Sequence, residues 1–485
     1  MKFIIKLFPE IVIKSKSVRK RFNKILEGNL RTVLKRIDDR VRIRSAWDRM
    51  EVQTPDGLDL ETQDALIAAM CRTPGISAVQ QVEQCVYESV DHIYQEALKV
   101  YGAQLAGKTF CVRVKRLGNQ DFSSLDVERY VGGGLNQNTD AIGVKLKKPD
   151  IEVRLDINND VLSMVTRQHK GLGGFPIATQ ESVLSLISGG FDSGVSSFQF
   201  IKRGCRVHYC FFNLGGDAHE SGVREMAYHI WQRYGFSHRV KFVAVPFEDV
   251  VADILENVEN GYMGVVLKRQ MMRAASKVAD NLNIQALVTG EAVGQVSSQT
   301  ISNLRVIDEV SEHVIMRPLI VSDKQTIIDQ AIKIGTHDLA ASMPEFCGVI
   351  SKSPTIKASP KRLAEEEAKL NLSLIDEVVY RSNTEDIRDI LNTNKPAPQE
   401  VEIVAELVPH SHVIDVRSDE EVEASPLELN NAFVEHIPFF KLNSEFPKLD
   451  ANTDYYLYCD RGVMSRLQAI HLNEAGFANA KVYRP

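Results

Sequence analysis

The chain has 485 residues, of which 25% are charged and 44% are hydrophobic, and its formal net charge is −6. It is too long for one core and too balanced in composition for disorder, so we expect about three or four domains. Its seven cysteines are scattered and include no C-x-x-C pair, which argues against a disulfide framework, a zinc ribbon and an iron–sulfur cluster. No run of about 18 apolar residues occurs, and Lys6 and Pro9 break the short apolar start, so we expect a cytoplasmic protein with no membrane partner.

The N-terminal end of the chain is strongly basic. Residues 1–50 hold 15 Lys and Arg against 5 Asp and Glu, a charge of +10, which leaves −16 for the remainder. Such polarisation favours an anionic partner, with a solvated basic face as the alternative. Residues 2–8 alternate as a strand does and Ser17–Leu34 has helical periodicity, so a small α+β unit fits.

Residues 60–170 form a second predicted α+β segment. Its predicted elements are helix Thr62–Ala69, strand Ile76–Cys85, helix Val90–Tyr101, strand Thr109–Val114, helix Asp126–Leu135, and strands near Val144 and Val153. Basic side chains are interleaved with them, namely Lys108, Arg113, Lys115, Arg116, Lys145, Lys147, Lys148, Arg154, Arg167 and Lys170. Because attraction to phosphates does not depend on base sequence, this pattern suits the binding of RNA by shape.

A Gly-rich stretch, Gly171–Pro176, is predicted to connect this segment to a region of alternating strands and helices. The predicted elements there are strand Val183–Ile187, helix Asp192–Lys202, strand Val207–Phe212, helix Ser221–Tyr234, strand Val240–Val245, helices Phe247–Asn257 and Lys268–Leu282, strand Ala286–Thr289 and helix Asp323–Gly335. Such alternation predicts a parallel, doubly wound sheet.

The sequence SGGFDS, Ser188–Ser193, lies between the first of these strands and its helix. Glycines let the backbone approach an anion, and a helix N-terminus offers free N–H groups to pyrophosphate. Asp192 cannot itself stabilise phosphate, so a role with Mg²⁺ or in orientation is more natural. The loop has neither the G-K-[ST] of a Walker loop nor a G-x-G-x-x-G spacing.

This loop resembles the S-G-G-x-D-S signature of the PP-loop ATP pyrophosphatases, which cleave ATP between its α and β phosphates to make adenylates. Two later sequences, GVVLKRQMMRAA and LVTGEAVGQVSSQT, resemble segments that line the nucleotide pocket in the RNA-thiolating branch of that family. Lys324, in SDKQTI, resembles a lysine kept near the phosphates or the reacting centre, with a solvated first-turn lysine as the alternative. The resemblance implies catalytic roles for Asp192 and Lys324 and ATP binding by Leu186, Ile187, Ser188, Gly189, Gly190, Ser193, Lys268, Gly290 and Gln299.

A second specific constellation follows the polar, Pro-containing stretch Leu391–Glu400, which we interpret as a linker. Cys459 ends the apolar strand YYLYC, Gly462 permits a tight loop, and Ser465 with Arg466 opens a helix. Backbone N–H groups pointing at the sulfur would stabilise a thiolate or persulfide, and Arg461 and Arg466 add positive charge. Together with Asp415–Arg417 and His436–Pro438, the loop resembles a rhodanese domain over residues 407–485.

The other cysteines fall into two groups. Cys71, Cys85, Cys111, Cys205 and Cys210 lie in apolar or periodic stretches and are interpreted as core residues. Cys347, in MPEFCGVI, matches a cysteine that the thiouridine-forming family uses as partner to the persulfide cysteine, which implies a catalytic role for it. No residue is assigned to a bound metal.

Taken together, these motifs resemble the bacterial tRNA 4-thiouridine synthetases in their longer, rhodanese-bearing form. The resemblance implies a multidomain α+β and α/β fold: a ferredoxin-like domain at 1–60, a THUMP RNA-binding domain at 61–168, a doubly wound PP-loop adenylation domain at 177–394, a linker at 395–406 and a rhodanese-like domain at 407–485. The ferredoxin-like and THUMP domains of that family recognise the acceptor side of tRNA.

The family resemblance also implies the chemistry. ATP with Mg²⁺ adenylates the C4 oxygen of a tRNA uridine, at position eight, and a persulfide on Cys459 then supplies sulfur, with release of AMP and pyrophosphate. A cysteine desulfurase would load Cys459, and a thiol reductant would reset a Cys347–Cys459 disulfide. Sulfur transfer to a sulfur-carrier protein of thiamine synthesis and a homodimer are also expected.

Three alternatives remain. A PP-loop amidotransferase would need an ammonia source, and neither an N-terminal cysteine nucleophile nor a glutaminase domain is visible. Another PP-loop tRNA thiolase, making 2-thiouridine or 2-thiocytidine, would typically carry the C-x-x-C pair that is missing here. An RNA-binding persulfide carrier without adenylation activity would not need the intact residues of SGGFDS, Ser188–Ser193, which we call the phosphate loop.

Overall fold

The computed structural model describes residues 1–45, 49–214, 216–341, 343, 353–391, 401–417, 419–459 and 463–485. Cys347, Arg461, Gly462 and residues 395–400 of the predicted linker therefore lie outside the described residues. The chain forms two compact units, Met1–Thr179 with Lys202–Gly204, and Gln180–Ile201 with Cys205–Pro485. Among the described helices, none has the length and apolar character that crossing a membrane requires.

The first unit is an α+β structure built on one sheet. Its strands are β1 Lys2–Leu7, β2 Arg42–Ser45, β3 Arg49–Gln53, β4 Ile76–Val86, β5 Thr109–Leu117, β6 Gly143–Val144, β7 Ile151–Asn158 and β8 Val161–Gly173. Its helices are α1 Pro9–Val12, α2 Lys16–Lys35, α3 Leu60–Arg72, α4 Val90–Tyr101 and α5 Ser124–Asn138. The order of the described strands is β2-β3-β1-β4-β8-β7-β5-β6.

Strand β4 joins the two halves of this unit. It pairs antiparallel with β1 on one side and with β8 on the other, so both predicted α+β segments share a sheet. Each half keeps its own core, with Phe3 and Leu30 in one and Val131 and Val153 in the other. The prediction of a connector beginning at Gly171 is wrong, because β8 continues to Gly173 and Gly173 pairs with Ile76.

The larger part of the second unit is an α/β structure. Its strands are β9 Val183–Leu186, β10 Val207–Asn213, β11 Lys241–Pro246, β12 Ala286–Val288, β13 Val314–Met316 and β14 Asn383–Asp386. Its helices are α6 Phe191–Lys202, α7 Gly216–Ile230, α8 Glu248–Asn257, α9 Asn260–Asn281, α10 Ile301–Asp308, α11 Lys324–Ile334, α12 His337–Ala341, α13 Pro360–Glu367 and α14 Ser373–Tyr380.

The described strands of this part follow the order β13-β12-β9-β10-β11-β14. All are parallel except β14, which runs antiparallel to β11. The chain crosses from one side of β9 to the other between β11 and β12, so the carboxyl end of β9 is a topological switch point. Open α/β sheets bind their ligands at such a point. The predicted doubly wound sheet is confirmed, and it places SGGFDS where a ligand site is expected.

The C-terminal part of the second unit is a smaller α/β structure. Its strands are β15 Ile403–Val404, β16 Ser411–Asp415, β17 Ala432–His436, β18 Tyr455–Tyr458 and β19 Ala480–Tyr483, and its helices are α15 Asp419–Ala424, α16 Phe439–Glu445 and α17 Val463–Glu474. The described strands are all parallel, in the order β15-β19-β18-β16-β17. Asp415, His436 and Cys459 therefore meet at one edge, since each lies at or just after the end of a neighbouring strand.

Candidate functional site

The phosphate loop runs from the central strand β9 into helix α6. The backbone N–H of Ser188 donates to Ser193 Oγ at 3.2 Å, and the Ser193 hydroxyl donates to the carbonyl of Gly190 at 3.1 Å. Ser193 is buried, and so are Ser196 and Ser197 on the next turn of the helix. These bonds close the loop on itself and leave α6 to begin at Phe191 with its N-terminus at the loop.

Two glycines of the site are required by close approach of the backbone. Gly189 has φ of +83°, and a Cβ there would lie 2.2 Å from the terminal methyl of Met343. A Cβ on Gly290 would lie 2.6 Å from the carbonyl carbon of Asp192 and 2.8 Å from the backbone nitrogen of Ser193. The segment that begins at Gly290 therefore packs directly against the phosphate loop.

Asp192 is held between two segments that are distant in sequence. The side-chain amide of Gln295 donates to Asp192 Oδ2 at 2.8 Å, and Lys324 Nζ lies 3.4 Å from Asp192 Oδ1. Lys324 also lies 5.5 Å from the centre of the Phe191 ring, within cation–π distance. The structure thus brings two of the predicted catalytic residues, Asp192 and Lys324, together. Sequence reasoning missed Gln295, whose signal was its place inside LVTGEAVGQVSSQT.

Lys268 belongs to a largely buried charge cluster centred on Glu291. Lys268 Nζ lies 2.6 Å from Glu291 Oε1, and Arg317 Nε donates to Glu291 Oε2 at 2.8 Å. Burial alone would raise the pKa of Glu291, but the charges of Lys268 and Arg317 and their hydrogen bonds outweigh it and lower the pKa to about 2. Glu291 is therefore ionised at neutral pH.

The remaining predicted ATP-binding residues lie on the same edge. The Ile187 backbone N–H donates to the carbonyl of Cys210 at 2.9 Å, and Ile187 is buried, whereas Leu186 is half-buried. The side-chain oxygen of Gln299 accepts from the backbone N–H of Ala292 at 3.3 Å, and its carbonyl accepts from Gly294. These contacts close the segment Gly290–Gln299 into a compact loop.

Helix α7 borders the phosphate loop on its other side. His219 Nε2 lies 3.3 Å from the carbonyl oxygen of Ser188, and a Cβ on Gly189 would lie 3.2 Å from Val223. Burial lowers the pKa of His219 to about 4, although the contact with Ser188 acts the other way. His219 is therefore neutral at pH 7.

The predicted sulfur loop, which begins at Cys459 and precedes Ser465, follows a strand at the carboxyl edge of the C-terminal sheet. The backbone N–H of Ser465 donates to Cys459 Sγ at 3.3 Å, and the thiol lies 3.4 Å from Ser465 Oγ. Cys459 is 8% exposed and Ser465 is fully buried, whereas Arg466 is exposed. The N-terminal turn of α17 therefore faces the sulfur, in the way that such turns stabilise thiolates.

A buried ion pair supports the same edge. Arg417 Nη2 lies 2.6 Å from Asp415 Oδ2, and both side chains are buried. The Arg417 guanidinium lies 5.1 Å from the centre of the Tyr458 ring, one residue before Cys459. His436 Nε2 lies 2.9 Å from the carbonyl oxygen of Arg417. The motifs DVR and HIP thus brace the strand that carries the cysteine.

Two helices connect the phosphate loop to the sulfur loop within the second unit. Helix α17, whose first turn faces Cys459, packs against α7, and α7 contacts the phosphate loop through His219. The structure therefore places both loops on neighbouring elements of one compact unit. Cys347, the predicted partner of Cys459, lies outside the described residues.

Family models match most of the chain. They are the ferredoxin-like domain of the thiamine biosynthesis protein ThiI over residues 2–79, a THUMP domain over 87–167, the thiamine biosynthesis protein (ThiI) over 178–372 and a rhodanese-like domain over 400–484. The predicted ferredoxin-like, THUMP, PP-loop and rhodanese-like fold classes are confirmed by these matches.

Full-length relatives are closely similar. The chain is 58% identical to a tRNA sulfurtransferase of Shewanella baltica and 56% identical to one of Psychromonas ingrahamii, in each case over 100% of both chains. Among solved structures, a 4-thiouridine synthetase in complex with RNA and bound ATP is similar in fold, with a TM-score of 0.69 and 23% identity over 79% of this chain and 99% of that chain. PH1313 from Pyrococcus horikoshii is similar with a TM-score of 0.54 and 21% identity, over 69% and 100% of the two chains.

Proposed function

The chain belongs to the tRNA sulfurtransferase family, and on that premise we propose that it uses ATP to place sulfur on C4 of a tRNA uridine, making 4-thiouridine. One observation carries the proposal: the phosphate loop and the sulfur loop lie on elements of one compact unit that are linked by the packing of α7 against α17. Coupled adenylation and sulfur transfer require such proximity, because an activated uridine in water is otherwise open to hydrolysis.

The residues in and around the phosphate loop are suited to bind a nucleoside triphosphate. Loop N–H groups at the start of α6 can face the departing pyrophosphate, and Lys268 and Lys324 supply cations on two sides. Asp192, which is partly exposed, offers carboxylate oxygens of the kind that Mg²⁺ prefers. When bound with ATP, Mg²⁺ would neutralise phosphate charge. The side chain of Asp192 would be oriented by Gln295 and Lys324.

Adenylation is needed because the C4 oxygen of uridine is amide-like and leaves poorly. In the proposed first step that oxygen attacks the α phosphorus of ATP, the bond to the β-phosphate oxygen breaks, and pyrophosphate leaves with the bonding electrons. The proton on N3 of the base passes to solvent. Lys268 and Lys324 stabilise the charge that develops on the phosphates.

Sulfur transfer follows from a persulfide on Cys459, loaded by a cysteine desulfurase. The terminal sulfur attacks C4 and AMP leaves, which joins Cys459 to the base through a disulfide. Cys347 attacks the inner sulfur, so thiouridine is released and a Cys347–Cys459 disulfide remains for a thiol reductant to reduce. Release of hydrogen sulfide from Cys459 is the competing route.

The first unit is proposed to bind the tRNA. Lys6, Arg113, Lys115 and Arg154 line one open depression on its sheet, beside Asp156. Such clustered cations favour the phosphate backbone of RNA over a protein partner. Modification at position eight, sulfur transfer to a sulfur-carrier protein of thiamine synthesis, and a homodimer complete the proposal.

The decisive experiment is mass analysis of tRNA nucleosides after incubation with ATP, cysteine, a desulfurase and the full chain. We expect 4-thiouridine from the native protein, and loss of it from both Asp192→Ala and Cys459→Ala. Cys71→Ala, which changes a half-buried cysteine of the first unit, is the matched control and should stay active. Persulfide formation on Cys459 of the native protein, with neither 4-thiouridine nor pyrophosphate released, would favour the persulfide-carrier alternative.

A further inference from the structure

Glu291 lies at the centre of the charge cluster, and no motif on which the site was predicted assigned it a role. It follows Gly290, whose backbone touches the phosphate loop, at the end of β12. Its carboxylate accepts hydrogen bonds from Lys268, Arg317 and the hydroxyl of Thr289, at 2.6, 2.8 and 3.1 Å. Glu291 itself is 9% exposed.

A chain of contacts fixes this carboxylate. Arg317 donates to Glu291 through Nε. It also donates to the carboxylate of Asp308, through Nη1 at 2.8 Å and through Nη2 at 2.6 Å. A guanidinium held at both ends is pre-organised, so the carboxylate that it binds has little freedom to move. Lysine, in contrast, loses considerable rotamer entropy when it is immobilised. The position of Lys268 Nζ is therefore set by its hydrogen bond to Glu291.

The cluster differs from an ordinary structural ion pair on the same helix. Glu367 is also buried, and both of its oxygens are occupied by Arg269 and Arg273 of α9. Lys268 and Arg273 are similarly exposed, at 22% and 23%, so the difference is one of position: Glu291 follows Gly290, whose backbone packs against the phosphate loop. Arg317 is also paired with Asp308, so the positive charges of Lys268 and Arg317 are balanced by the carboxylates of Glu291 and Asp308.

We propose that Glu291 is a positioning residue that holds the ammonium of Lys268 where the phosphates of the nucleotide bind. The inference rests on the proposed function, since it takes Lys268 to contact ATP. Arg317 and Asp308 act behind Glu291 and do not touch the nucleotide. The carboxylate places the lysine through the hydrogen bond between Glu291 Oε1 and Lys268 Nζ.

The test compares Glu291→Gln, Glu291→Asp and Lys268→Ala with the matched control Glu367→Gln. Pyrophosphate release is measured at varied ATP with saturating tRNA, and thermal unfolding is followed in parallel. We expect Glu291→Gln to raise the KM for ATP by about tenfold with a smaller change in kcat, because the amide cannot hold an ammonium as a carboxylate does. Glu291→Asp should recover part of this loss, since it keeps the charge.

Glu367→Gln should lower the unfolding temperature without changing the KM for ATP, because the described hydrogen bonds of its arginines go to Glu367 itself and, from Arg269, to the carbonyl of Val306. The inference is overturned if Glu291→Gln and Glu367→Gln change the KM for ATP alike, or if neither changes it while Lys268→Ala does. An unchanged KM in Lys268→Ala would overturn the role of Lys268 in the proposed function as well. If Glu291→Gln does not fold, the comparison of Glu291→Asp with Glu367→Gln decides.

Discussion

Among single residues, the contacts of Asp192 in the phosphate loop depend on Gly290 in a segment that is distant in sequence. Gln295 can donate to Asp192 only because the segment 290–299 lies against the phosphate loop. That close approach depends on the absence of a side chain at Gly290. The SGGFDS motif identified the loop from sequence, but the need for glycine at 290 became evident only from the contact with Asp192. The close packing at Gly290 and the hydrogen bond that orients the Asp192 carboxylate are therefore linked at this site.

Gly290→Ala tests that coupling. The added methyl would lie 2.6 Å from the carbonyl carbon of Asp192, so the phosphate loop or the 290–299 segment must shift. Because small displacements of reacting groups are costly, we expect ATP-dependent pyrophosphate release to fall by about 100-fold. Gly264→Ala on α9, where the methyl meets nothing within 4 Å, is the control and should leave the rate unchanged. Equal rates for the two variants would contradict the steric account.

At the scale of elements, parallel strands explain why distant motifs converge. The ends of β9 and β12 bring SGGFDS next to Glu291, and the ends of β16, β17 and β18 bring DVR, HIP and Cys459 together. Strands β9, β10 and β11 and helix α6 were predicted to within a few residues, because they are apolar or periodic. Helix α9 begins at Asn260 and not at the predicted Lys268, since Met263, Val266 and Leu267 extend its buried face. Strand β14 was missed because NTED carries no apolar signal.

Arg417→Ala tests the brace beneath the sulfur loop. It would leave the buried carboxylate of Asp415 without its cation, and breaking such a pair costs about 3–5 kcal/mol. We expect the free energy of unfolding of the C-terminal α/β structure to fall by that order, measured by chemical denaturation of the full chain. Arg388→Ala removes an exposed partner of Asp386 and should cost far less stability, because solvent screens an exposed pair. Similar losses in both variants would contradict a special role for burial.

In the whole molecule, the features on which the proposed function depends are divided between two units. The first carries the clustered cations of its sheet, and the second carries the predicted phosphate and sulfur loops. Strand β4 is the unexpected feature, because it merges two predicted α+β segments into a single described sheet. Strand pairing over such distances depends on register and packing, which no local pattern encodes.

Lys115→Ala tests the role of the first unit. Removal of one phosphate contact should weaken tRNA binding at every salt concentration and reduce the slope of log K against log salt by about 1. Lys115 is exposed on the sheet depression, and Lys361, exposed on α13 of the second unit, provides the control. Binding measured by filter retention at several salt concentrations checks the outcome. An unchanged slope in Lys115→Ala would remove this depression from the RNA interface.

The stability of the second unit should depend on pH through its buried histidines. Burial lowers the pKa values of His208, His219 and His238 to about 4, below their ordinary value of 6.5. The unfolded chain therefore binds more protons between these values, so stability is complete above about pH 6.5 and falls as the pH decreases towards 4. Denaturant unfolding followed by Trp231 fluorescence, in a background without Trp47, should show the decrease. His219→Gln should reduce it, and an undiminished decrease would contradict the assignment.

The chemistry-bearing motifs and the alternation of strands and helices could be predicted along the chain, because both depend on neighbouring residues. SGGFDS, the YYLYC strand with its following helix, and the parallel-sheet pattern needed no long-range information. Three contacts became visible in the fold alone: Gln295 and Lys324 meet at Asp192, Glu291 binds Lys268, and α7 packs against α17. The physical reason is that such contacts arise from the packing of whole elements, whose ends meet in space irrespective of their separation along the chain.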